Sequence, residues 1–390
     1  MEEYIVLRNM QRANLQDHFE IPLRRFDANI ARAFPPEPKI EVERLDPKDR
    51  IELLRDPQVA VATKKMPIKL IKPMGGADQS AQPAWGIRAV GADKSDWTGK
   101  DVVVAVLDTG IDDDHPAFAG MDITAKDFTG AGAGDQVGHG THCAGTIFGR
   151  DVDGERIGVA RGVQSAFIGK VLAEDGGSSE MLFDGLKWAS DNGANVISMS
   201  LGFDFPGQVK KLVEEHGYEV DAATSDTLDA YRGNLRMFDV LMEMIAAGED
   251  LGRSALVIAA TGNESHRPDY TISAALPAAA TGVISVGGVE KTGRKYGIAP
   301  FSNSLPMVCA PGVGIRSAKA GGGLFNDSGT SMACPHVAGV AALWWEFVRA
   351  QNGAVRAGFV SARMVGNARA DVFVKGTAPT DRGAGLVTAP

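Results

Sequence analysis

Five short apolar runs between residues 102 and 289 constrain the fold of this chain more than any other feature. They are rich in Val, Ile and Ala, show no alternation with polar residues, and cover 102–107, 166–172, 194–201, 255–261 and 283–289. Strands of a parallel sheet have this pattern because both of their faces are buried. Helical stretches such as Ser179–Asn192 lie between the runs. The sequence therefore predicts a doubly wound α/β fold, a mostly parallel sheet flanked by helices, with ligands at the carboxyl ends of the strands.

The charge of the chain limits the partners that it can bind. A net charge of −9 argues against nucleic acid or an anionic membrane as the main partner, since both attract basic surfaces. No apolar run approaches the roughly 20 residues needed to span a bilayer. The first residues lack a basic region followed by an apolar core, so they do not form a secretory signal. We expect a cytoplasmic protein; a secreted protein whose signal lies outside this sequence is the alternative.

Three cysteines, Cys143, Cys309 and Cys334, cannot all pair with one another, and their spacing is not that of metal ligands. All three lie in apolar surroundings, which predicts buried free thiols. An unbridged chain of this size fits a reducing compartment.

Four polar residues in separate motifs indicate one chemistry. Asp108 ends the first apolar run and Asn263 follows the fourth, whereas His139 and Ser331 lie in the glycine-containing motifs 138–145 and 329–339. A serine at the start of a helix becomes a nucleophile only if a base removes its proton and donors stabilise the oxyanion. His139 can be that base, Asp108 can orient it, and Asn263 can donate an amide N–H. The chain order Asp, His, Ser is one in which this triad is known to occur.

These four segments resemble the subtilisin family, and the cysteine in Gly-His-Gly-Thr-His-Cys-Ala-Gly is similar to the proteinase K and thermitase branches. The resemblance extends from about Trp85 to Pro390. It implies a serine endopeptidase that acts on polypeptides through an acyl-enzyme, with His139 rather than His142 as the base. It also implies two sets of substrate-binding residues and a broad preference for apolar side chains. The backbones of Ser200, Leu201 and Gly202 would pair with an extended substrate, and Ala260, Thr261 and Gly262 would line the pocket before the scissile bond.

Other residues near these motifs have structural interpretations. His336 is expected to be a packed, hydrogen-bonded core residue, and Pro335 is expected in the first turn of the helix that carries Ser331. The carboxylates at 112–114 are expected to lie in a solvated turn. A cysteine nucleophile is disfavoured because the motifs converge on Ser331.

The N-terminal part of the chain reads as a separate small domain. Strand patterns at Tyr4–Leu7, Lys39–Glu43 and Val59–Val61, with a helix after Asp46, resemble the inhibitory propeptide of subtilases. We therefore predict a propeptide-like domain at 1–76, which would be an intramolecular inhibitor, a linker at 77–84 and a catalytic domain at 85–390. Cleavage is expected between Lys72 and Ser80; a permanent N-terminal extension is the alternative.

Residues 203–254 form an insertion relative to compact subtilases and contain two charged helical stretches, around 208–216 and 225–247. The insertion could narrow substrate choice, act as a lid or bind a regulator; a solvated surface addition is the alternative. A narrow role on one partner protein is a second enzymatic hypothesis, and a protease-like binding module without catalysis is a third.

No cofactor is needed for this chemistry. Subtilisins often carry a calcium-binding aspartate after a His-Pro pair, but here Ala117 follows His115-Pro116. Asp151, Asp153 and Glu155 could offer oxygen ligands, although a solvated acidic turn is favoured. A structural calcium is thus possible but not supported by the family pattern.

Overall fold

The computed structural model describes residues 2–8, 38–71, 84–132 and 134–390. The chain divides into two compact units. The smaller unit contains Met1–Met66 and Phe205–Leu241, and the larger unit contains Pro67–Asp204 and Met242–Pro390.

Sixteen strands occur in the described part of the chain. In chain order they are β1 (Glu2–Arg8), β2 (Lys39–Leu45), β3 (Val59–Lys64), β4 (Pro67–Leu70), β5 (Val103–Asp108), β6 (Asp122–Asp127), β7 (Ser165–Lys170), β8 (Gly177–Ser178), β9 (Val196–Met199), β10 (Leu201–Phe203), β11 (Leu256–Ala260), β12 (Ile284–Thr292), β13 (Lys295–Ile298), β14 (Val308–Pro311), β15 (Ile315–Ala318) and β16 (Leu324–Asp327).

The α-helices of the same residues are α1 (Pro47–Leu53), α2 (Trp85–Ala89), α3 (His139–Phe148), α4 (Ser179–Asp191), α5 (Phe205–Glu214), α6 (Val220–Ala247), α7 (Thr330–Asn352), α8 (Ala357–Gly366) and α9 (Pro379–Arg382). Short 3-10 helices cover Pro116–Phe118 and Gly248–Leu251.

The larger unit is built on one eight-stranded sheet. Its strands follow the order β13-β12-β11-β9-β5-β7-β6, and β14 also pairs with β12. Only the β12–β13 pair of this sheet is antiparallel. The five apolar runs form β5, β7, β9, β11 and β12, so the predicted mostly parallel α/β fold is confirmed. Because β5 and β11 are parallel, Asp108 and the residues after Ala260 lie at the same edge of the sheet.

Helix α7 carries Ser331 into the centre of the larger unit. Its residues are buried on every face from Thr330 to Trp345, as is typical of an interior helix. Small residues allow close packing: a Cβ on Gly339 would lie 2.5 Å from the Cβ of Val159. This packing leaves the first turn of α7 little freedom to move.

The smaller unit is an antiparallel sheet in the order β2-β1-β3, packed against helices. The predicted N-terminal strands and helix are confirmed as β1, β2, α1 and β3. The insertion forms the two expected helices, α5 and α6, and α6 packs on β3. Asn234 of α6 donates to Thr63 Oγ1 at 3.2 Å and to the Lys64 carbonyl at 2.9 Å. A Cβ on Gly233 would lie 2.2 Å from Thr63 Oγ1, so this contact is close.

This division differs from the predicted domain boundaries at 76 and 203–254. The smaller unit ends at Met66 because β4 pairs with β10 of the larger unit. It includes most of the insertion because α6 contacts the N-terminal sheet. The predicted cleavage positions after Lys72 and the linker up to residue 83 lie outside the described residues.

Candidate active site

Asp108 and His139 form a buried, hydrogen-bonded pair. Asp108 is the last residue of β5 and His139 the first of α3, and their side chains meet with 2.7 Å between Nδ1 and Oδ1. Asp108 is 0% exposed and His139 is 4% exposed. Nδ1 therefore donates to the carboxylate, which leaves Nε2 as the acceptor of the neutral ring. Among the described residues, Nε2 is buried without a hydrogen-bond partner.

The electrostatics of this pair favour a charged imidazole. Burial opposes the charge on His139, but the neighbouring carboxylate of Asp108 outweighs it and holds the pKa of His139 well above its usual range. The pair can therefore stabilise an imidazolium that forms when the ring takes a proton.

Asp135 ties the Asp108 loop to the start of helix α3. Its Oδ1 accepts from Thr109 Oγ1 and from the Gly138 amide, each at 2.8 Å. Its Oδ2 accepts from the amide and hydroxyl of Thr141 at 2.8 and 2.6 Å. A carboxylate is also favoured at the positive end of a helix. The sequence analysis missed this residue; its only signal there is an acidic residue four positions before the histidine.

Ser331 is the second residue of α7, so its N–H is among the first amides of the helix, which have no acceptor within it. The expectation that Pro335 lies in the first turn is wrong: Pro335 lies inside the helix. Its missing N–H leaves the Ser331 carbonyl, four residues earlier, without a helical donor. Ser200 Oγ at 3.1 Å and Cys143 Sγ at 3.4 Å donate to that carbonyl instead. Two side chains thereby fix the backbone of Ser331 where the helix itself cannot.

The Ser331 hydroxyl lies beside Ile71, the residue that follows strand β4. Ser331 Oγ lies 3.3 Å from the carbonyl oxygen of Ile71 and 3.4 Å from that of Ser200. The expected hydrogen bond from Ser331 to His139 is not formed among the described residues, since Nε2 has no partner there. The carbonyls of Ile71 and Ser200 compete for the hydroxyl proton.

Asn263 is held with its amide oxygen toward α7. Oδ1 accepts from the amide and the hydroxyl of Thr330, each at 2.9 Å. The amide nitrogen is therefore the end of the side chain that can donate to a reacting carbonyl. A Cβ on Gly329 would lie 2.8 Å from Asn263 Nδ2, so glycine is required where the two segments meet.

The predicted substrate-binding residues Ser200, Leu201 and Gly202 border an occupied cleft. Strand β4 lies between β10 and β8 and is antiparallel to both. Leu201 is opposite Leu70, and Gly202 is opposite Lys69. The chain thus has an extended strand where the resemblance predicts a bound peptide, and this strand leads to Ile71 at Ser331.

The side chain of Ile71 is 2% exposed and packs in the same apolar cluster as Ala260. A Cβ on Gly202 would lie 3.6 Å from Ile71 Cγ1. Thr261 turns its hydroxyl to the Val286 carbonyl at 3.1 Å, and the Gly262 amide donates to Thr330 Oγ1 at 3.2 Å. Gly262 has a φ of +113°, which favours glycine.

Two further histidines, His142 and His336, and the three cysteines lie in the core. His336 is buried and bonds the Met332 carbonyl at 2.8 Å, which confirms its predicted place. His142 bonds the Ile315 carbonyl at 3.0 Å, and burial lowers its pKa to about 3. All three cysteines are buried and free, as predicted. Burial raises the pKa of the Cys143 thiol, which disfavours the thiolate form.

The acidic turn at 151–155 is held by arginines. Asp151 pairs with Arg161, whose Nη1 lies 3.0 and 2.9 Å from its two oxygens, and Glu155 Oε2 lies 2.8 Å from Arg316 Nε. Asp153 is exposed and has a φ of +52°. Within the described residues, the single group of three or more potential metal ligands is Asp108, His139 and Cys143. The carboxylates at 151 and 155 therefore each have an arginine partner.

Arg150 adds a cation to the same region. Its guanidinium donates to the carbonyls of Phe148 at 3.2 Å and Val163 at 2.8 Å, and also to that of Arg161. The Arg150 guanidinium therefore holds the backbone of the loop that follows α3 through these hydrogen bonds.

Comparison with known sequences identifies the family. The sequence model described as "Subtilase family" matches residues 99–385, which is most of the chain and includes Asp108, His139, Asn263 and Ser331. The chain belongs to the subtilase family. As a subtilase it is a serine endopeptidase, and polypeptides are its substrates.

Curated relatives agree with this assignment. The chain is 34% identical over 255 residues to the major intracellular serine protease of Bacillus subtilis (strain 168), covering 63% of this chain and 68% of the relative. It is 34% identical over 252 residues to the intracellular serine protease of Paenibacillus polymyxa, covering 63% and 67%. It is 30% identical over 311 residues to alkaline elastase YaB of Bacillus sp. (strain YaB), covering 78% and 68%. None of the described helices is long and apolar enough to cross a bilayer.

Proposed function

We propose that this endopeptidase works through an acyl-enzyme, with Ser331 as nucleophile, His139 as general base and Asp108 as the residue that orients His139. The observation that carries the proposal is the buried 2.7 Å hydrogen bond between His139 Nδ1 and Asp108 Oδ1. It fixes the tautomer in which Nε2 accepts a proton. The mechanism requires the Ser331 hydroxyl to leave the carbonyls of Ile71 and Ser200 and to donate to Nε2.

In the first step, Ser331 Oγ attacks the carbonyl carbon of the scissile bond while its proton passes to His139 Nε2. Asp108 stabilises the resulting imidazolium and stays ionised. The tetrahedral intermediate then collapses as His139 gives the proton to the leaving amine. Water, deprotonated by the same histidine, hydrolyses the ester that remains on Ser331 and restores the hydroxyl.

We propose that the oxyanion of both intermediates is stabilised by the Asn263 amide and the Ser331 N–H. The two bonds from Thr330 to Asn263 Oδ1 support this role because they direct the amide nitrogen outward. The position of Ser331 in the first turn of α7 supports it as well, since its N–H has no helical acceptor.

We propose that the N-terminal segment inhibits the enzyme by occupying its cleft and is cut by Ser331 between Ile71 and Lys72. This bond lies directly before the stretch predicted from the sequence. The antiparallel pairing of β4 with β10, the burial of Ile71 and its carbonyl oxygen 3.3 Å from Ser331 Oγ support the proposal. The buried Ile71 also supports a broad preference for apolar side chains before the scissile bond.

The contacts of α6 support a role for the insertion in holding this inhibitor. The Asn234 bonds to Thr63 and Lys64 join the insertion to the N-terminal sheet. The insertion would then bind the inhibitory segment of its own chain. Of the roles considered for the insertion in the sequence analysis, this corresponds to binding a regulator.

Intact-mass analysis of purified wild type and Ser331→Ala tests the self-processing. Wild type should lose the segment up to Ile71 and begin at Lys72, and Ser331→Ala should keep it. Ser331→Ala should still unfold cooperatively on heating, because a buried serine-to-alanine change preserves packing, and this shows that the inactive variant is folded. Cleavage of Ser331→Ala after Ile71 when purified alone, or an uncut wild-type chain with full peptidase activity, would contradict the proposal.

We propose that neither catalysis nor the 151–155 turn needs a metal ion. The ion pairs of Asp151 and Glu155 with arginines support this, since those carboxylates already have cationic partners. A strong chelator should leave peptidase activity and the melting temperature unchanged; a fall in either that calcium reverses would refute it.

We propose that the protein acts inside the cell. Two relatives named as intracellular proteases support this location, whereas other relatives carry no such name. Cell fractionation with an antibody to the chain tests it: activity found mainly in the culture medium would favour the secreted alternative.

A further inference from the structure

Strand β4 lies in the cleft and shows where the side chains before the scissile bond would bind. Counting back from the Ile71–Lys72 bond, Ile71 is the first residue, Leu70 the second and Lys69 the third. Ile71 and Ile68 are each 2% exposed, so both insert into the protein. Lys69, between them, carries the only charge of the strand β4.

Lys69 forms an ion pair with Asp204, the residue that follows β10. Lys69 Nζ lies 2.8 Å from Asp204 Oδ1, and the two side chains are 37% and 27% exposed. The Asp204 amide donates to the Pro67 carbonyl at 3.1 Å. Asp204 therefore contacts strand β4 through its backbone amide as well as through its carboxylate.

We infer that Asp204 is a specificity-determining residue that selects a basic side chain at the third position before the scissile bond. The inference rests on the proposed cleavage after Ile71. Asp204 follows Ile71 in the chain, so it is not part of the segment that cleavage removes. Its carboxylate consequently remains beside the cleft and faces every substrate bound in the register of β4.

The expected selectivity follows from charge at a partly exposed site. A lysine gains a charge-assisted hydrogen bond, whereas a glutamate at the same position would place two carboxylates together. Since exposed pairs are weakened by solvent, the combined effect should be about tenfold in kcat/KM between the two side chains. High salt should reduce this difference because it screens both interactions.

Three peptides measure this selectivity: acetyl-Ile-Xaa-Leu-Ile-aminomethylcoumarin with Lys, Gln or Glu as Xaa. At low salt the processed wild-type enzyme should cleave them in the order Lys, Gln, Glu, with about tenfold between the first and last. Asp204→Asn should bring the three rates together, and Asp204→Lys should reverse the order. Asp122→Asn removes the same charge from an exposed residue of β6, the last strand at one edge of the eight-stranded sheet, and should keep the wild-type order.

The outcomes separate this inference from the function on which it rests. Equal kcat/KM for all three peptides in wild type, or an unchanged order in Asp204→Lys, would overturn the role of Asp204 and leave the peptidase mechanism intact. Failure to cleave any of the three, by a chain that also does not cut itself after Ile71, would overturn both.

Discussion

The two units of this protein are stabilised by different interactions. The sheet and helix α7 of the larger unit bury apolar side chains almost completely. The smaller unit relies more on ion pairs between partly exposed side chains: Arg8 with Glu41, Glu43 and Asp56, Lys64 with Glu2 and Asp226, and Arg50 with Asp229. Salt screens ion pairs between exposed charges, whereas it does not screen apolar burial. The N-terminal part of the smaller unit, which we propose is removed by cleavage, is therefore held by contacts that salt weakens more than those of the larger unit.

The largest effect should come from the buried charge in the core. Asp108→Asn preserves shape but removes the carboxylate that orients His139 and stabilises its cation, so kcat should fall about 10⁴-fold, as in other triads. Because the Asp108 charge raises the pKa of His139, and the base must be neutral, the wild-type rate should increase with pH through that raised pKa. The variant's rising limb should lie at lower pH, since burial then dominates.

Steady-state kinetics across pH, with Asp114→Asn as control, measures this effect. Asp114 is an exposed carboxylate of the same loop. A small loss in Asp108→Asn, equal to that of the control, would show that the buried pair does not carry catalysis.

Asn263 should have the next largest effect. Asn263→Ala should lower kcat by about 10²–10³, the magnitude known for loss of this donor in a subtilisin, with little change in KM. Asn263→Asp separates donation from positioning, because it keeps an oxygen for Thr330 but loses the amide donor. Near-normal kcat in Asn263→Asp would mean that Asn263 acts only by positioning α7.

A substitution of Arg150 tests whether the stabilisation by a charged side chain of the larger unit depends on salt, as we expect for the ion pairs of the smaller unit. Arg150→Met should lower the free energy of unfolding by about 1–3 kcal/mol because three backbone carbonyls lose their donor. The loss should be similar at low and high salt, since these acceptors are neutral. Chemical denaturation of Arg150→Met and of the exposed control Arg88→Met measures it; a loss that disappears at high salt would break the contrast between the units.

The smallest effect is expected in the smaller unit. Asp226→Asn removes a partner of Lys64 and should destabilise that unit by about 0.2–1 kcal/mol at low salt, and by less at high salt. Hydrogen exchange of the β3 amides in a Ser331→Ala background measures this, with Glu215→Gln, exposed in the same unit, as control. A salt-independent loss would indicate that packing of α6, not charge, stabilises this unit.

The elements that carry the candidate triad could be predicted from local pattern. An apolar run followed by Asp108 predicts a strand with a carboxylate at its end, and the motif 329–339 predicts a helix that starts near Ser331. These signals lie within a few residues of each side chain. For the same reason the parallel sheet could be predicted from the composition of its strands alone.

Contacts between distant segments could not be predicted in this way. Nothing near Ile71 indicates that its carbonyl lies at Ser331, or near Lys69 that it pairs with Asp204. The two donors to the Ser331 carbonyl, Ser200 and Cys143, come from other elements, and their need arises only because Pro335 lies inside the helix. Such contacts depend on how the elements pack, which hydrophobic periodicity does not encode.

Covalent labelling with a fluorophosphonate tests the central claim, that His139 and Asp108 activate Ser331, most directly. Peptide mapping of the processed, active enzyme should locate a single adduct on Ser331. Ser331→Ala and His139→Ala should remain unlabelled under the same conditions. An adduct on another residue, or full peptidase activity without labelling of Ser331, would contradict the claim.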